Sequence, residues 1–480
     1  MASFTERYHE YTKYNPYTID KLGDVDWENQ PSTFKPISEQ DALSLIPHLE
    51  FLKDDLSQLD WEEHFKGHSA AHLNYLAPLL YFTSGISTVF ESPGQTQYLR
   101  CNPSAGGLYP IENYLIVTKN PEIEPGVYAH HPLQMALIKV AEIEEAQALL
   151  KNIHHLKNHE GTYILYTGLF GRNEWRYKQR SYRRILLDFG HAVENTLLFN
   201  QFNNKGGVLY PSFNDQLISQ LSFFAPDEFP LTLLELNDEA KGEFVFTENI
   251  SPLKSYKDLI EQKELVDSMM VQQNLVESYY EEKPLIKVEN SPTPTDSTFE
   301  GLLTNLPDKI RSRRSCRRYI AKQIPLRWVE DCLKASFAQQ ESRFSNQHLK
   351  FALASINVDG LPIGVYTLNS NGEIDRDNPR ALEIELLTQA SLGQEIATDA
   401  SFLIFFYSDL NQATADQGDR VYRHLCFDAG RIGERINIAC SKTPYGTSGI
   451  GGYFDDMCNE VAGLEAQNAI LYLTSCGVSQ

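Results

Sequence analysis

No stretch of this chain approaches the roughly 18 consecutive apolar residues that a membrane-spanning helix requires, so no such helix is expected. Positive charge is scarce: 42 Lys and Arg stand against 64 Asp and Glu, a formal net charge of −22 over 480 residues. That balance argues against a nucleic-acid partner and against docking on an anionic membrane surface. The seven cysteines (Cys101, Cys316, Cys332, Cys426, Cys440, Cys458 and Cys476) form no Cys-x-x-Cys pair and are odd in number. Reduced thiols are expected, rather than a disulfide framework or a zinc site. There is no Walker A, HExxH, GxSxG or DFG motif, and His130, His131 and His191 stand at no metal-ligand spacing. The first twenty residues lack the apolar core of a secretory signal, which makes the cytoplasm the expected compartment.

What the chain does have is bulk and repetition. Its 42% apolar and 11% aromatic content can fill more than one core, and its length is that of two or three domains. Residues 1–60 read as a polar, aromatic arm, extended through DWENQPSTFKPIS (26–38), and as a packing strap more than a lid. YLIVTK and TYILYTGLF read as strands, and YRRILLDFGHAVENTLLFNQ (182–201) as a long buried helix. Residues 251–304 shift to a charged helical stretch and a Pro/Ser/Thr linker at 289–298. A second globular unit runs over 305–480, opposite a first over 61–250. The two read as an internal duplication. Tyr182/Tyr422, Arg183/Arg423, Asp188/Asp428 and Gly190/Gly430 match at a constant offset of 240, and GVY recurs at 126–128 and 364–366. Each half alternates strands with a long helix, an α+β pattern.

Four stretches could carry chemistry. RSRRSCRRY (311–319) concentrates Arg311, Arg313, Arg314, Arg317 and Arg318 around Ser315, and Arg grips phosphate with a planar fork. YGTSGIGGYFDD (445–456) brings Gly449, Gly451 and Gly452 ahead of a helix with Asp455 or Asp456 near its N-cap. No strand is read immediately before it, so it is a phosphate turn or a plain helix connection, not a dinucleotide fingerprint. Pro103, Ser104, Ala105, Gly106 and Gly107 form an uncharged turn able to pack backbone against a flat ligand. Ahead of the long helix, Arg176, Tyr177 and Lys178 could supply an acid or base if burial or a neighbour shifted a pKa.

Taken together these stretches resemble the nitroreductase superfamily of FMN enzymes, and within it the SagB-type azoline dehydrogenase branch. RRSCRRY is similar to the family's RRSxRxF, PSAGGLYPIENYLIV to PSAGALYPxELYxxV, and PGVYAHHP to PGVYxYDP. The resemblance implies two nitroreductase-like domains, each a mostly antiparallel sheet flanked by helices, joined as an intrachain pseudo-dimer that could pair again as a homodimer. It implies one composite FMN site per chain. Arg313, Arg314, Ser315 and Arg317 with Gly449, Ile450, Gly451 and Gly452 would hold the phosphate and ribityl chain, and Pro103, Ser104, Ala105 and Gly106 would cover the ring. The other site should have lapsed, since SRFSNQHLKFAL (342–353) and GGVLYPSFND (206–215) stand in place of its motifs. The implied activity is hydride transfer from substrate to flavin N5, with a small molecule or an azoline-bearing peptide as substrate. The family's Lys-Tyr catalytic pair is replaced here by Arg176-Tyr177, which leaves Tyr177, or Lys178 in a shifted register, as the base. An NAD(P)H-dependent nitro- or quinone reductase and a flavin-sequestering protein are the alternatives.

Overall fold

The structure is a computed structural model that describes residues 3–17, 19, 23–37, 42–92, 95–238, 244–246, 268–277, 301–338 and 344–480. The first half builds an eight-stranded sheet. In spatial order its strands are Ala42–Ser44, Ala136–Ala141, Gly126–His131, Ile111–Val117, Thr162–Leu169, Glu228–Asn237, Gly206–Tyr210 and Phe244–Phe246. Only the last pair is parallel. The second half builds a six-stranded antiparallel sheet around Phe402–Asp409 and Asn468–Ser479, with Lys350–Ser355, Gly364–Leu368, Tyr445–Ile450 and Tyr319–Ile320. Among the described residues no helix is long and apolar enough to cross a membrane.

Strand alternation sorts side chains between two kinds of core. Ile111, Leu115 and Val117 face a central cluster shared by both halves, while Tyr114 and Ile116 face a separate cluster behind the first sheet. In the second sheet Phe402, Ile404 and Phe406 face the same centre, and Leu403 and Phe405 face away. The centre is built by two long helices, Ser181–Phe202 and Val421–Cys440. Both are buried almost all round, as expected of helices caught between layers. They cross at Gly190 and Gly430. A Cβ on Gly190 would stand 2.2 Å from the Phe427 carbonyl oxygen, and one on Gly430 2.3 Å from that of Leu187. Phe189 and Phe427 stack beside the crossing, centroids 4.5 Å apart. The α+β fold, with two sheet-and-helix units joined as a pseudo-dimer within one chain, is therefore the architecture observed.

The offset of 240 recurs in the buried ion pairs between the halves. Arg180 and Arg183 reach Asp455 at 2.6 and 2.8 Å, and Arg420 and Arg423 reach Asp215 at 2.7 and 3.0 Å. Such reciprocal contacts define an isologous interface, here formed by one chain. The short helices Phe4–Tyr11 and Met269–Glu277 follow the same rule. The Thr5 amide donates to Asp419 and the Met270 amide to Gln179, again 240 apart.

The arm begins with a helix, Phe4–Tyr11, opened by a capping box between Ser3 and Glu6. One expectation needs correction. A strand, Tyr445–Ile450, does immediately precede the GIGG turn, since GTSGI completes the antiparallel ladder with Asn468–Ser479. The linker read at 289–298 lies outside the described residues.

Candidate functional site

The Pro103–Gly107 turn is pinned from below. Ser104 Oγ donates to Asp188 at 2.5 Å, and the Ala105 amide donates to the same carboxylate at 3.0 Å. Gly106 and Gly107 take φ of 66° and 67°, a region that favours glycine. Gly106 also needs the space, because a Cβ there would stand 2.8 Å from Tyr177 Oη and 3.3 Å from Arg176. Burial pushes the Asp188 carboxyl up to about 7, against the hydrogen bonds from Ser104 and Ala105 and the charge of Arg184. Asp188 is an architectural anchor: Asp428 accepts from the Ser345 amide and hydroxyl in the same way in the other half.

The arginine motif reaches this turn across the domain boundary. Arg313 is buried, donates Nε to the Cys101 carbonyl at 3.1 Å, and lies 4.0 Å from Glu434, whose own pKa burial raises to about 8. Arg314 donates to the carbonyls of Arg311 and Arg313 and to the Thr88 hydroxyl. Arg313 and Arg314 thus clasp backbone and domain as well as bordering the cleft beside them. Ser315 and Arg317 make no side-chain hydrogen bond or ion pair among the described residues. They line a cavity of about 470 Å³ with Ser441, Lys442, Thr443 and Gly446. The Cys316 amide donates to the Thr447 carbonyl at 2.8 Å, locking the motif to the glycine strand. Free donors beside exposed cations form a built receptor for an anion such as phosphate.

The glycine segment divides in two. Gly449 ends the strand, exposed and over Tyr472, where a Cβ would stand 2.5 Å from the Tyr472 hydroxyl. Ile450 beside it is buried in the second sheet's outer core. Gly451 faces the first long helix: a Cβ there would lie 3.7 Å from Cζ of Arg184. Gly452 packs against Leu392, and its carbonyl accepts from Gln394. Asp455 opens the next helix, but its N-cap is Phe454 and its carboxylate serves Arg180 and Arg183 of the first half.

Arg176 and Tyr177 lie against the Gly106 turn, with the Arg176 guanidinium stacked between the rings of Tyr177 and Trp27 at 5.7 and 5.6 Å. Burial raises the Tyr177 pKa, partly offset by Arg176 and Arg184. The phenol points at the Gly106 turn, where a Cβ would stand 2.8 Å from its oxygen. Lys178 is turned away: its Nζ donates to the Trp175 carbonyl at 3.3 Å, and its backbone takes φ 50° where its counterpart is Gly418 at φ 73°. The arm is a strap, as read. Lys35 pairs with buried Glu228 at 2.6 Å, Thr33 accepts from Arg100, and Trp175 donates to the Asp26 carbonyl. Its tip nevertheless rests at the motif-bearing half, where Trp27 covers Arg176.

At the equivalent place in the other half the glycines are replaced by Leu209, Tyr210, Pro211 and Ser212, and the Pro211 carbonyl accepts from Arg420 at 2.6 Å. Glu194, the counterpart of Glu434, is enclosed by Arg431 and Arg435 at 2.7 and 2.5 Å, which hold its pKa down. That half is closed by its own side chains. Sequence reasoning missed Arg184, Asp188 and Lys442. The repeat held one signal for Arg184, because YRR in the first half is set against YRH in the second.

Two sheets meeting across paired long helices, with an anion-ready cavity lined by the second half, define a two-domain nitroreductase-fold protein. Residues 310–478 match the model of the nitroreductase family, nearly the whole second sheet and its helices. A crystal structure from Anabaena variabilis that carries a nitroreductase name aligns over 100% of both chains, with a TM-score of 0.82 and 28% identity. MJ1384 of Methanocaldococcus jannaschii, also named as a nitroreductase, is 26% identical over 136 residues, 28% of this chain and 67% of that protein. The microcin B17-processing protein McbC of Escherichia coli is 30% identical over 142 residues, 27% of this chain and 51% of McbC, so the match spans about half of that relative. These likenesses show a nitroreductase-type fold.

Proposed function

We propose that this chain is an FMN-dependent oxidoreductase that binds one FMN in the composite cleft and exchanges a hydride with a small or peptide-borne substrate. The observation that carries the reading is the asymmetry between halves. Arg313 bonds the Cys101 carbonyl just ahead of Pro103–Gly107 and Gly451 faces Arg184, whereas the equivalent place in the other half carries Leu209–Ser212 and the Arg431–Glu194–Arg435 cluster. The residues fit the cofactor: free donors at Ser315 and Arg317 suit its phosphate, and the glycine-lined end of the strand beside the buried Arg184, whose Nε and Nη2 have no hydrogen-bond partner, suits a planar polar ring. When bound, FMN supplies the hydride chemistry at N5.

The chain's own contributions are position and a proton. Ser315 and Arg317 would anchor the phosphate, with Arg313 and Arg314 bordering it. Gly449, Ile450, Gly451 and Gly452 would present backbone, and Pro103–Gly106, held by Asp188, would cover the ring. Tyr177 holds a proton at Oη beside Gly106.

Azoline oxidation in a peptide is the finer form of this reading, supported by the similarity to McbC. Arg176, standing where the dehydrogenases' lysine would be, favours a second form, a reductase fed by NADH or NADPH. Titration of the purified chain with FMN tests the main reading, with one equivalent per chain expected; two equivalents, or none, would overturn it. Bleaching of bound FMN by NAD(P)H would select the reductase form, and bleaching only by an azoline-bearing peptide the dehydrogenase.

A further inference from the structure

The guanidinium of Arg176 is exposed and yet held in one place. It lies over the Trp27 ring at 5.6 Å and over the Tyr177 ring at 5.7 Å. Its Nη1 and Cδ border the Gly106 turn, where a Cβ would stand 3.3 Å from each. Trp27 is itself fixed: it meets Trp175 edge to face at 5.2 Å, and the Trp175 indole donates to the Asp26 carbonyl at 2.6 Å. The chain carries 64 Asp and Glu, yet among the described residues the Arg176 side chain makes no hydrogen bond or ion pair. The rings meet its charge through their faces and take none of its five N–H donors.

The other half shows the same position without this arrangement. At the offset of 240, the counterparts of Trp175, Arg176 and Tyr177 are Ala415, Asp416 and Gln417. The charge is reversed, both rings of the helix are gone, and Asp416 lies 3.4 Å from His348. Clamp and cation therefore stand only in the half that carries Pro103–Gly107.

The ligand follows from the charge count. The other cations of the segment are committed: Arg172 to Glu112, Lys178 to the Trp175 carbonyl, and Arg180 to Asp455. One free planar fork suits one monoanion, and a carboxylate matches it with two parallel N–H···O bonds. The flanking rings give apolar cover to a ligand with a flat body.

Resting on the FMN reading above, we infer that Arg176 is a substrate-binding residue that takes a carboxylate, with Trp27 and Tyr177 as the walls of the subsite. The substrate is on this account an acid. Its carboxylate takes no part in the redox step and fixes the molecule beside the turn that covers the flavin. The arm, through Trp27, supplies part of the subsite.

The test uses the chain loaded with FMN and two probe pairs in which an amide replaces the carboxylate. One pair is para-nitrobenzoate and para-nitrobenzamide; the other is N-acetyl-Gly-Phe with a free or an amidated C-terminus. Dissociation constants are read from the flavin spectrum and from tryptophan fluorescence, at low and at high salt. In at least one pair the acid should bind about tenfold tighter than its amide or more, the ratio falling as salt rises. The pair that shows it tells a small aromatic acid from a peptide end. Arg176→Gln should abolish the preference and leave the affinity of the amide as it was. Arg176→Lys, which keeps the charge without the fork, should retain only part of the preference. Trp27→Ala should weaken acid and amide alike, and Asp416→Asn should change neither. Equal binding of acid and amide in both pairs, or a preference that survives Arg176→Gln, overturns the inference and leaves the FMN reading intact. A chain that binds no FMN overturns that reading and the assignment of the subsite to a substrate, even where tryptophan fluorescence still reports the preference.

Discussion

Asp455→Asn should be the most damaging single-atom change in the interface. The carboxylate is 1% exposed, accepts from Arg180 at 2.6 Å and Arg183 at 2.8 Å, and also receives the Tyr14 amide at 3.1 Å. The amide cannot neutralise either guanidinium, and both arginines stay buried. Removing one partner of a buried pair costs about 3–5 kcal/mol; Arg180 keeps only the Thr12 carbonyl and Arg183 the Ile470 carbonyl and Tyr453 hydroxyl, so neither retains a carboxylate and the upper end is expected. Asp215→Asn is the pseudo-symmetric control. There Arg423 keeps Glu277 at 3.2 Å, and Arg420 keeps the carbonyls of Pro211 and Glu277. The loss should be nearer the about 1.5–3 kcal/mol of a charge-assisted hydrogen bond. Urea unfolding followed by far-ultraviolet circular dichroism and by tryptophan fluorescence measures both, the two probes also showing whether the halves unfold together. A cost for Asp455→Asn below about 1 kcal/mol, or one no greater than for Asp215→Asn, would refute the reasoning.

Three further outcomes follow from the same contacts. Gly190→Ala should leave little soluble protein, because the new methyl meets the Phe427 carbonyl at 2.2 Å and two helix backbones must separate; expression as a well-folded chain would contradict the crossing. Gly106→Ala should weaken FMN retention more than Gly107→Ala. The first adds a contact at 2.8 Å with Tyr177, whereas the second meets nothing within 4 Å and bears only the left-handed backbone cost of about 1–2 kcal/mol. Stability of the FMN-free chain should fall as pH rises from about 4 to about 8. Asp188 and Glu277 are raised to about 7 and Glu434 to about 8, chiefly by burial, so their stabilising contribution is complete below the unfolded carboxyl range and lost as pH rises through the folded values. Asp455, held well below the usual range by Arg180 and Arg183 against its burial, acts oppositely and only in acid. Thermal melts should show a shallower fall for Glu434→Gln, and an identical profile would count against it.

Much of the fold was legible because a duplication leaves its record in spacing. The Tyr-Arg, Asp and Gly matches at 240 marked the two long helices before any contact was known, and Gly190 and Gly430 proved to be the crossing itself. The motifs that converge were also visible, since RRSCRRY, PSAGGLYP and GIGG carry distinctive residue types. The strand Tyr445–Ile450 was hidden because GTSGI has almost no apolar alternation; its partner strand, not its own pattern, makes it a strand. The Phe4–Tyr11 helix was hidden by its brevity, since about two turns gain their stability from docking on Asp419 and Tyr422 rather than from propensity.

By itself, then, the sequence determined the α+β class, the doubled architecture and the unequal distribution of site motifs between the halves, because these reside in residue type and spacing. Only the tertiary structure decided how each charge is balanced. It turned Arg313 onto the Cys101 carbonyl, made Asp188 an anchor and left Arg184 against the Tyr453 ring with no carboxylate. The physical reason is that a buried charge is defined by what lies within about 4 Å of it, and here those neighbours come from 84 to 212 residues away in the chain, brought together by tertiary packing.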